Sequence, residues 1–475
     1  MADSELYRLT AAQAVQGLRD KQFTPLELVD AASARIEAVD GHLNAMPTRC
    51  VERAREHARS IMQAGGGSPH PGWLGGLPIA VKDLIDVAGV RTTYGSPIYA
   101  DHVPRRSDLL VERLEANGAI VIGKSNTPEF GAGASTFNEV FGKTRNPWNC
   151  AKSVAGSSGG SAAALASGQV WLATGSDLGG SLRLPASFNA VLGLRPSPGC
   201  VARGPDSLPF ATLSVEGPMA RTAADLALML DAMSGAHVFD PLAVPAPARS
   251  YSQQLREAAP PQRIGFSRDL GFGVVDGDVA DVCAQAATLL ARVCNAELVD
   301  DAPDLSGAQA CFQTLRAAQY AAGHRERLTE HRAQLKPEVI WNIETGLALS
   351  AGEIGAAEQR RARLVHAAGE FFQRCDLLVC PAAMVPPFDV DVRYVEQVGE
   401  HRFDNYVDWM MLTYVISLLG CPALSAPGGF TRQGLPIGLQ IIAPPRHEAQ
   451  ALAAAQLLET ATGIAQRLPI DPNPG

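Results

Sequence analysis

Lysine is scarce in this chain: only Lys21, Lys82, Lys124, Lys143, Lys152 and Lys336 occur, and all other basic side chains apart from histidine are arginine. A guanidinium cannot shed its proton near neutral pH, whereas a buried amine can, so a lysine at the end of an apolar run is a candidate base. Lys82 follows Ile79-Ala80-Val81 and meets that description; Asp83 beside it opposes the effect if its side chain lies close. Lys124 belongs to Gly118-Ala119-Ile120-Val121-Ile122-Gly123-Lys124-Ser125, which satisfies the G-x-x-x-x-G-K-S pattern of an NTPase phosphate loop. A phosphate cradle needs a loop with free N–H groups, and Ala119 to Ile122 reads as buried strand, so this match is set aside. Gly156-Ser157-Ser158-Gly159-Gly160 fits G-x-S-x-G, the elbow that lifts a nucleophilic serine above a sheet. A helix follows over 161–167, but the residues ahead, 146–152, are polar and broken by Pro147. Ser158 is therefore not expected to stand above a sheet edge.

The elements that must position these residues are legible in outline. Thr10 with Gln13 and Thr24 with Glu27 are capping boxes, the second with Pro25 at the first helical position, so residues 1–65 read as helical up to Gly65-Gly66-Gly67. Apolar runs at 77–81 and 119–122 flank a helical stretch at 107–117 stopped by Gly118, a βαβ signature. A glycine- and serine-dense zone covers 131–204, with one strand candidate at 170–174. Thr222 with Asp225 opens a helix through Met233, and Pro241, Pro245, Pro247, Pro260 and Pro261 mark a connection. Residues 276–374 read as mainly helical, and 377–380 and 435–442 return to strand.

Composition bounds the function. The chain has 475 residues, 46% of them apolar and 19% charged, which excludes a disordered or collagen-like protein. A net charge of −9 without a basic stripe argues against nucleic acid as a partner. No stretch reaches the roughly 18 apolar residues of a membrane span. Asp3 and Glu5 stand where an export signal needs basic and apolar residues, and the nine cysteines contain no C-x-x-C. The expectation is a soluble cytoplasmic protein with mostly buried, reduced thiols and no membrane association. None of the ten histidines falls in the glycine-rich segments or forms H-E-x-x-H, so neither a metal nor a histidine base is expected, and each reads as a surface or helix residue.

Three segments taken together, Gly76-Leu77-Pro78-Ile79-Ala80-Val81-Lys82-Asp83, Ala155-Gly156-Ser157-Ser158-Gly159-Gly160-Ser161 and Asp177-Leu178-Gly179-Gly180-Ser181-Leu182-Arg183-Leu184-Pro185, resemble the amidase signature family. The similarity extends over most of 5–235 and 370–465, and is loose over 240–370. It departs in having Ala155 where glycine is frequent and Ser176 where threonine is common, substitutions expected to alter the acyl pocket slightly.

The resemblance implies an α/β fold with a single large mixed, twisted β-sheet flanked by helices. It implies one domain over 1–475, comprising N-terminal helices (1–65), a signature core (66–235), a variable helical insert (240–370) and a C-terminal return to the sheet (371–475). It also implies a Ser-Ser-Lys triad: Ser181 as nucleophile, Ser157, after a cis peptide bond, as the bridging serine, and Lys82 as base. The chemistry is intelligible, since an aliphatic hydroxyl needs a base as it attacks a carbonyl, and a lysine with its ordinary pKa of about 10.4 is almost wholly protonated at pH 7. Leu178, Gly179 and Gly180, with Ser181, are the implied oxyanion donors through their backbone N–H groups. Ser176, Asp177, Arg183 and Ser158 are expected to hold the loop by ion pairing and hydrogen bonds, against ordinary surface pairing as the alternative.

The implied activity is hydrolysis of a small-molecule carboxylic amide through an acyl-enzyme, without a cofactor, with a homodimer left open. Alternatives are an ester, carbamate or urethane hydrolase, the glutamine-amidating subunit of a tRNA-dependent amidotransferase, and a non-catalytic binding protein on the same scaffold. Tyr406, Trp409, Met410 and Tyr414, in a predicted helix over 405–419, read as either acyl pocket or core, with core favoured by their spacing.

Overall fold

Both N-terminal capping boxes form. The Thr10 and Thr24 hydroxyls accept from the Gln13 and Glu27 N–H groups, and those side chains reach back to cap helices Ala11–Arg19 and Pro25–Leu43. The computed structural model describes residues 3–65, 70–204 and 208–475; Gly66 and Gly67 of the predicted glycine stop, and Pro205, lie outside the described residues. The βαβ unit is present as strand Pro78–Lys82, helix Leu109–Ala116 and strand Ile120–Ser125, with the two strands parallel and paired. Ile79, Val81, Ile120, Val121 and Ile122 are wholly buried, each worth about 1.5–3 kcal/mol of burial. That is why these apolar runs sit inside a sheet and not at its edge.

Among the described residues one mixed sheet has eleven strands, in the spatial order Thr48–Arg49, Ile120–Ser125, Pro78–Lys82, Leu172–Asp177, Val215–Ala220, Leu192–Arg195, Ala423–Phe430, Pro436–Ile442, Leu377–Pro381, Arg263–Phe266, Glu297–Asp300. The α/β class and the large mixed sheet are as expected. Three central strands, Leu192–Arg195, Val215–Ala220 and Ala423–Phe430, carry no clear signal to announce them, because glycine interrupts each one and proline the last two. Gly217 shows the reason, since a Cβ there would collide with the Leu194 carbonyl and the Leu182 side chain. The proline-rich connection also holds a short capped helix, Tyr251–Glu257, begun by Ser250 and Gln253.

The insert is helical over Gly277–Cys294, Ala308–His331, Pro337–Leu347 and Ala351–Phe372, and it adds the last two strands at one end of the sheet, Arg263–Phe266 and, at the edge, Glu297–Asp300. The predicted helix over 405–419 is shorter, a 3-10 turn Asp408–Met410 running into Met411–Ser417. No described helix is long and apolar enough to cross a membrane. All nine cysteines are free thiols, eight of them buried.

Candidate active site

Lys82 ends its strand with a side chain that has no exposed surface. Its Nζ lies 2.7 Å from Ser157 Oγ, 2.9 Å from Ser158 Oγ and 2.9 Å from Ser176 Oγ. Three hydroxyls surround the amine, and hydroxyls both donate and accept, so the same cage satisfies an ammonium donating three bonds or an amine donating two and accepting one. Burial pushes the Lys82 pKa down to about 7, against the opposing pull of Glu216 and Asp177. Asp83 does not interfere. Its carboxylate accepts from the Thr93 N–H at 3.1 Å and lies 3.2 Å from the Lys124 ammonium, on the far side of the strand.

Lys124 and its glycine neighbours form no phosphate loop. Gly123, Lys124 and Ser125 are part of a strand, and Lys124 donates to the Ile85 carbonyl and the Thr92 hydroxyl, each at 2.7 Å. Nor is there a hydrolase elbow at Ser158. The strand ahead of it, Asn149–Ser153, pairs with Arg145–Asn146 in a separate hairpin and not in the main sheet. Ser158 is buried at the entrance to helix Gly159–Ala166, pointing its hydroxyl at Lys82.

The Gly156–Ser157 peptide bond is cis, as expected from the resemblance. Ala155 sits at φ +57°, in the region that favours glycine, which accounts for the residue usual at that place. It packs in the core and not on the cavity wall, so of the two departures only Ser176 reaches the site.

Strand Leu172–Asp177 delivers the second half of the site. Asp177 is fully buried, and both of its oxygens meet the Arg183 guanidinium, at 2.8 and 3.0 Å, while Arg195 approaches at 3.4 Å. Burial alone would raise this carboxyl; the two guanidinium groups override it and hold Asp177 well below the usual carboxylate range. Surface pairing is thereby excluded for Asp177 and Arg183. The same carboxylate accepts from Gly180 N–H at 2.8 Å and Leu182 N–H at 3.1 Å, curling the loop around one buried charge.

Of the N–H groups expected to serve as oxyanion donors, that of Gly180 thus points at Asp177. Gly180 serves the turn. Its φ is +126°, and a Cβ would collide with Thr413 Oγ1. Leu178, Gly179 and Ser181 remain half-buried on a cavity that they share with Ser157 and Ser176. The Ser181 carbonyl accepts from Ser158 N–H at 3.2 Å, which fixes the loop against the serine cage. No hydrogen bond joins the Ser157 and Ser181 hydroxyls among the described residues; such links tighten when substrate binds.

The cavity has a volume of about 130 Å³, and its far wall comes from the insert: Phe312, Arg316 and Tyr320, at four-residue spacing on one face of helix Ala308–His331. His324 and Arg327 continue that face into an outer mouth of about 500 Å³, where His102, Asp86 and Glu216 also lie. His102 and His324 thus line the entrance. Burial and Arg327 push the His324 imidazole down to about 3, so it stays neutral. Of the four residues left between core and pocket, Tyr406 and Met410 line the cavity, whereas Trp409 and Tyr414 are core, Tyr414 stacking on Phe312 at 4.3 Å.

Several residues of the site escaped the sequence reading. Arg195 and Gln440 are polar interruptions in the apolar strands Leu192–Arg195 and Pro436–Ile442, and that interruption is the signal that would have found them. Gln440 accepts from Arg183 at 2.6 Å, and Thr413 Oγ1 donates to the Gly179 carbonyl at 2.7 Å.

The model of the Amidase family matches residues 27–452. A glutamyl-tRNA(Gln) amidotransferase subunit of Moorella thermoacetica is 35% identical, with 98% of this chain and 99% of that protein aligned. An acylamidase of Rhodococcus erythropolis is 30% identical over 99% of both chains. Among solved structures, a bacterial aryl acylamidase of the amidase signature enzymes superposes with a TM-score of 0.86 at 28% identity, covering 97% of this chain and 99% of that one.

Proposed function

This chain belongs to the amidase family, and from that premise we propose that it hydrolyses a small carboxylic amide through an acyl-enzyme on Ser181. The observation that carries the reading is Lys82: a wholly buried amine, pushed down to about 7 by burial, held by hydroxyls alone and 2.7 Å from Ser157. Neutral Lys82 accepts the Ser157 proton, Ser157 accepts that of Ser181, and Ser181 Oγ attacks the carbonyl carbon. The N–H groups of Leu178, Gly179 and Ser181 receive the developing oxyanion. The C–N bond then breaks as the relay returns its proton to the leaving nitrogen. Water, deprotonated by the same relay, releases the acid and frees Ser181. Each step uses groups of the chain itself and needs no cofactor.

Labelling with a small neutral fluorophosphonate, followed by peptide mass spectrometry, tests this. Modification should fall on Ser181 and vanish in Lys82→Ala; an unmodified Ser181 in a preparation that turns over amides rejects Ser181 as the nucleophile, and an unmodified Ser181 without any turnover favours a binding scaffold. Ester and carbamate substrates would use the same groups and belong in the same assay.

The second reading, a glutamine-amidating subunit, draws on the likeness to the glutamyl-tRNA(Gln) amidotransferase protein. It requires partner subunits that co-purify and a preference for glutamine over simple amides. We further propose that the whole chain acts as one catalytic unit and as a homodimer, checked by sedimentation, and that it works in the cytoplasm, in keeping with nine free thiols.

A further inference from the structure

Five arginines are buried among the described residues: Arg35, Arg183, Arg195, Arg221 and Arg316. Three are ion-paired: Arg35 with Asp471 at 2.7 Å, and Arg183 and Arg195 with the shared Asp177. Arg221 donates to the Tyr7 and Leu9 carbonyls and feels Asp225 from beyond ion-pair distance. Arg316, 5% exposed, has no carboxylate within ion-pair distance among the described residues.

Its partners are neutral. One Nη donates to the Asn342 side-chain oxygen and, at 3.3 Å, to the Tyr406 hydroxyl; the other donates to Gln313 at 3.1 Å; the Trp341 ring centre is 5.5 Å away. Its Nε is buried and has no partner. Asp408, which shares Gln313 with it, is held instead by Gln313 Nε2 at 2.7 Å and Asn405 Nδ2 at 2.9 Å. A guanidinium cannot neutralise itself, and a cation in a dry interior is costly without a counter-charge. Arg316 lines the same cavity as Ser157, Gly179 and Ser181, so whatever occupies that cavity can supply the missing charge.

Resting on the amidase reading, we propose that Arg316 is a specificity residue that receives a carboxylate carried by the substrate, and that the preferred substrates are short-chain amides bearing a second, ionised carboxyl group. The monoamide of a four-carbon diacid is the type. Hydrolysis then yields the diacid and ammonia, with the amide carbonyl at Ser181 and the free carboxylate at Arg316. A cavity of about 130 Å³ suits a small acyl chain, being close to the roughly 150 Å³ that holds a benzene. None of the described residues lining it is acidic, so an ammonium next to that carboxylate finds no counter-charge. Glutamine is therefore the poorer substrate.

The test compares kcat/KM for succinamate and butyramide, which differ by a carboxylate in place of a methyl group. The wild-type enzyme should prefer succinamate by at least about tenfold, the scale of one charged hydrogen bond. The ratio should fall toward one in Arg316→Met and be partly kept in Arg316→Lys. Should Arg316→Met fail to fold, the wild-type protein alone decides: succinate should slow fluorophosphonate labelling of Ser181 at concentrations where butyrate does not. Equal kcat/KM for the two amides, an unchanged ratio in a folded Arg316→Met, equal protection by the two acids, or faster cleavage of glutamine than of succinamate each overturns the proposal while leaving the amidase reading intact. Absence of both labelling and turnover of every amide removes the amidase reading and this inference with it.

Discussion

Lys82 and Lys124 lie on neighbouring parallel strands, both without exposed surface, and they have opposite fates. In the register Val81 faces Lys124 and Lys82 faces Ser125, so the two side chains leave opposite faces of the sheet. Asp83 follows Lys82 by one residue and emerges on the face of Lys124, which it meets at 3.2 Å. Lys82 is left among hydroxyls. Burial lowers both amines, but at Lys124 the Asp83 carboxylate opposes it at contact distance, whereas the carboxylates acting on Lys82 make no contact with it. Burial is common to both; the position of a counter-ion separates a candidate base from a structural cation.

The sharpest way to break this comparison is to remove the two amines in turn. Lys82→Ala and Ser181→Ala should each lower kcat/KM by about 10³-fold or more, and the double variant should lose little beyond either single one, because the groups act as a unit. Lys82→Met should be the milder loss in denaturant, since it removes a buried ionisable group and leaves three hydroxyls, but no charge, without their partner. Lys124→Met should cost about 3–5 kcal/mol in urea unfolding, because it leaves the Asp83 charge buried alone. Asp83→Asn in the Lys124→Met background should restore part of that loss. Equal denaturation midpoints for the two methionine variants would remove the distinction.

A smaller effect sharpens the oxyanion side. Thr413→Val removes the bond to the Gly179 carbonyl and should cost about 1 kcal/mol of transition-state stabilisation, roughly fivefold in kcat with KM little changed.

The smallest effect is a displacement in pH. Activity requires neutral Lys82, so kcat/KM should rise with pH through about 7 and then level off. A carboxylate at Glu216 favours the ammonium, so Glu216→Gln should move the rising limb to lower pH by a fraction of a unit. A shift to higher pH, or a falling limb in its place, contradicts the assignment of Lys82 as the base.

A second contrast lies between the signature core and the insert. The core supplies Lys82, legible at the end of an apolar run, and Ser157, Ser176 and Ser181, in segments legible by their glycine and serine spacing. The insert, which resembles the family only loosely, supplies Phe312, Arg316 and Tyr320, the wall against which an acyl chain would rest. The four-residue spacing of these three residues along one helix marks a shared face in the sequence. It does not say what that face meets, because a helix stripe packs equally well on a core or around a cavity.

The amino-acid sequence by itself determined the α/β class, the capped N-terminal helices, the βαβ unit and the segments around Lys82, Ser157 and Ser181, because caps, apolar runs and glycine-rich turns act within a few residues. Only the tertiary structure decided the rest. It turned Asp83 toward Lys124, committed the Gly180 N–H to Asp177, joined Arg195 and Gln440 to the buried ion pair, and put Arg316 on the same cavity as Ser181 without a counter-ion. These are contacts between segments up to hundreds of residues apart in the chain, and the protonation state of a buried group depends on which charges the fold brings within a few ångströms, a property no local pattern encodes.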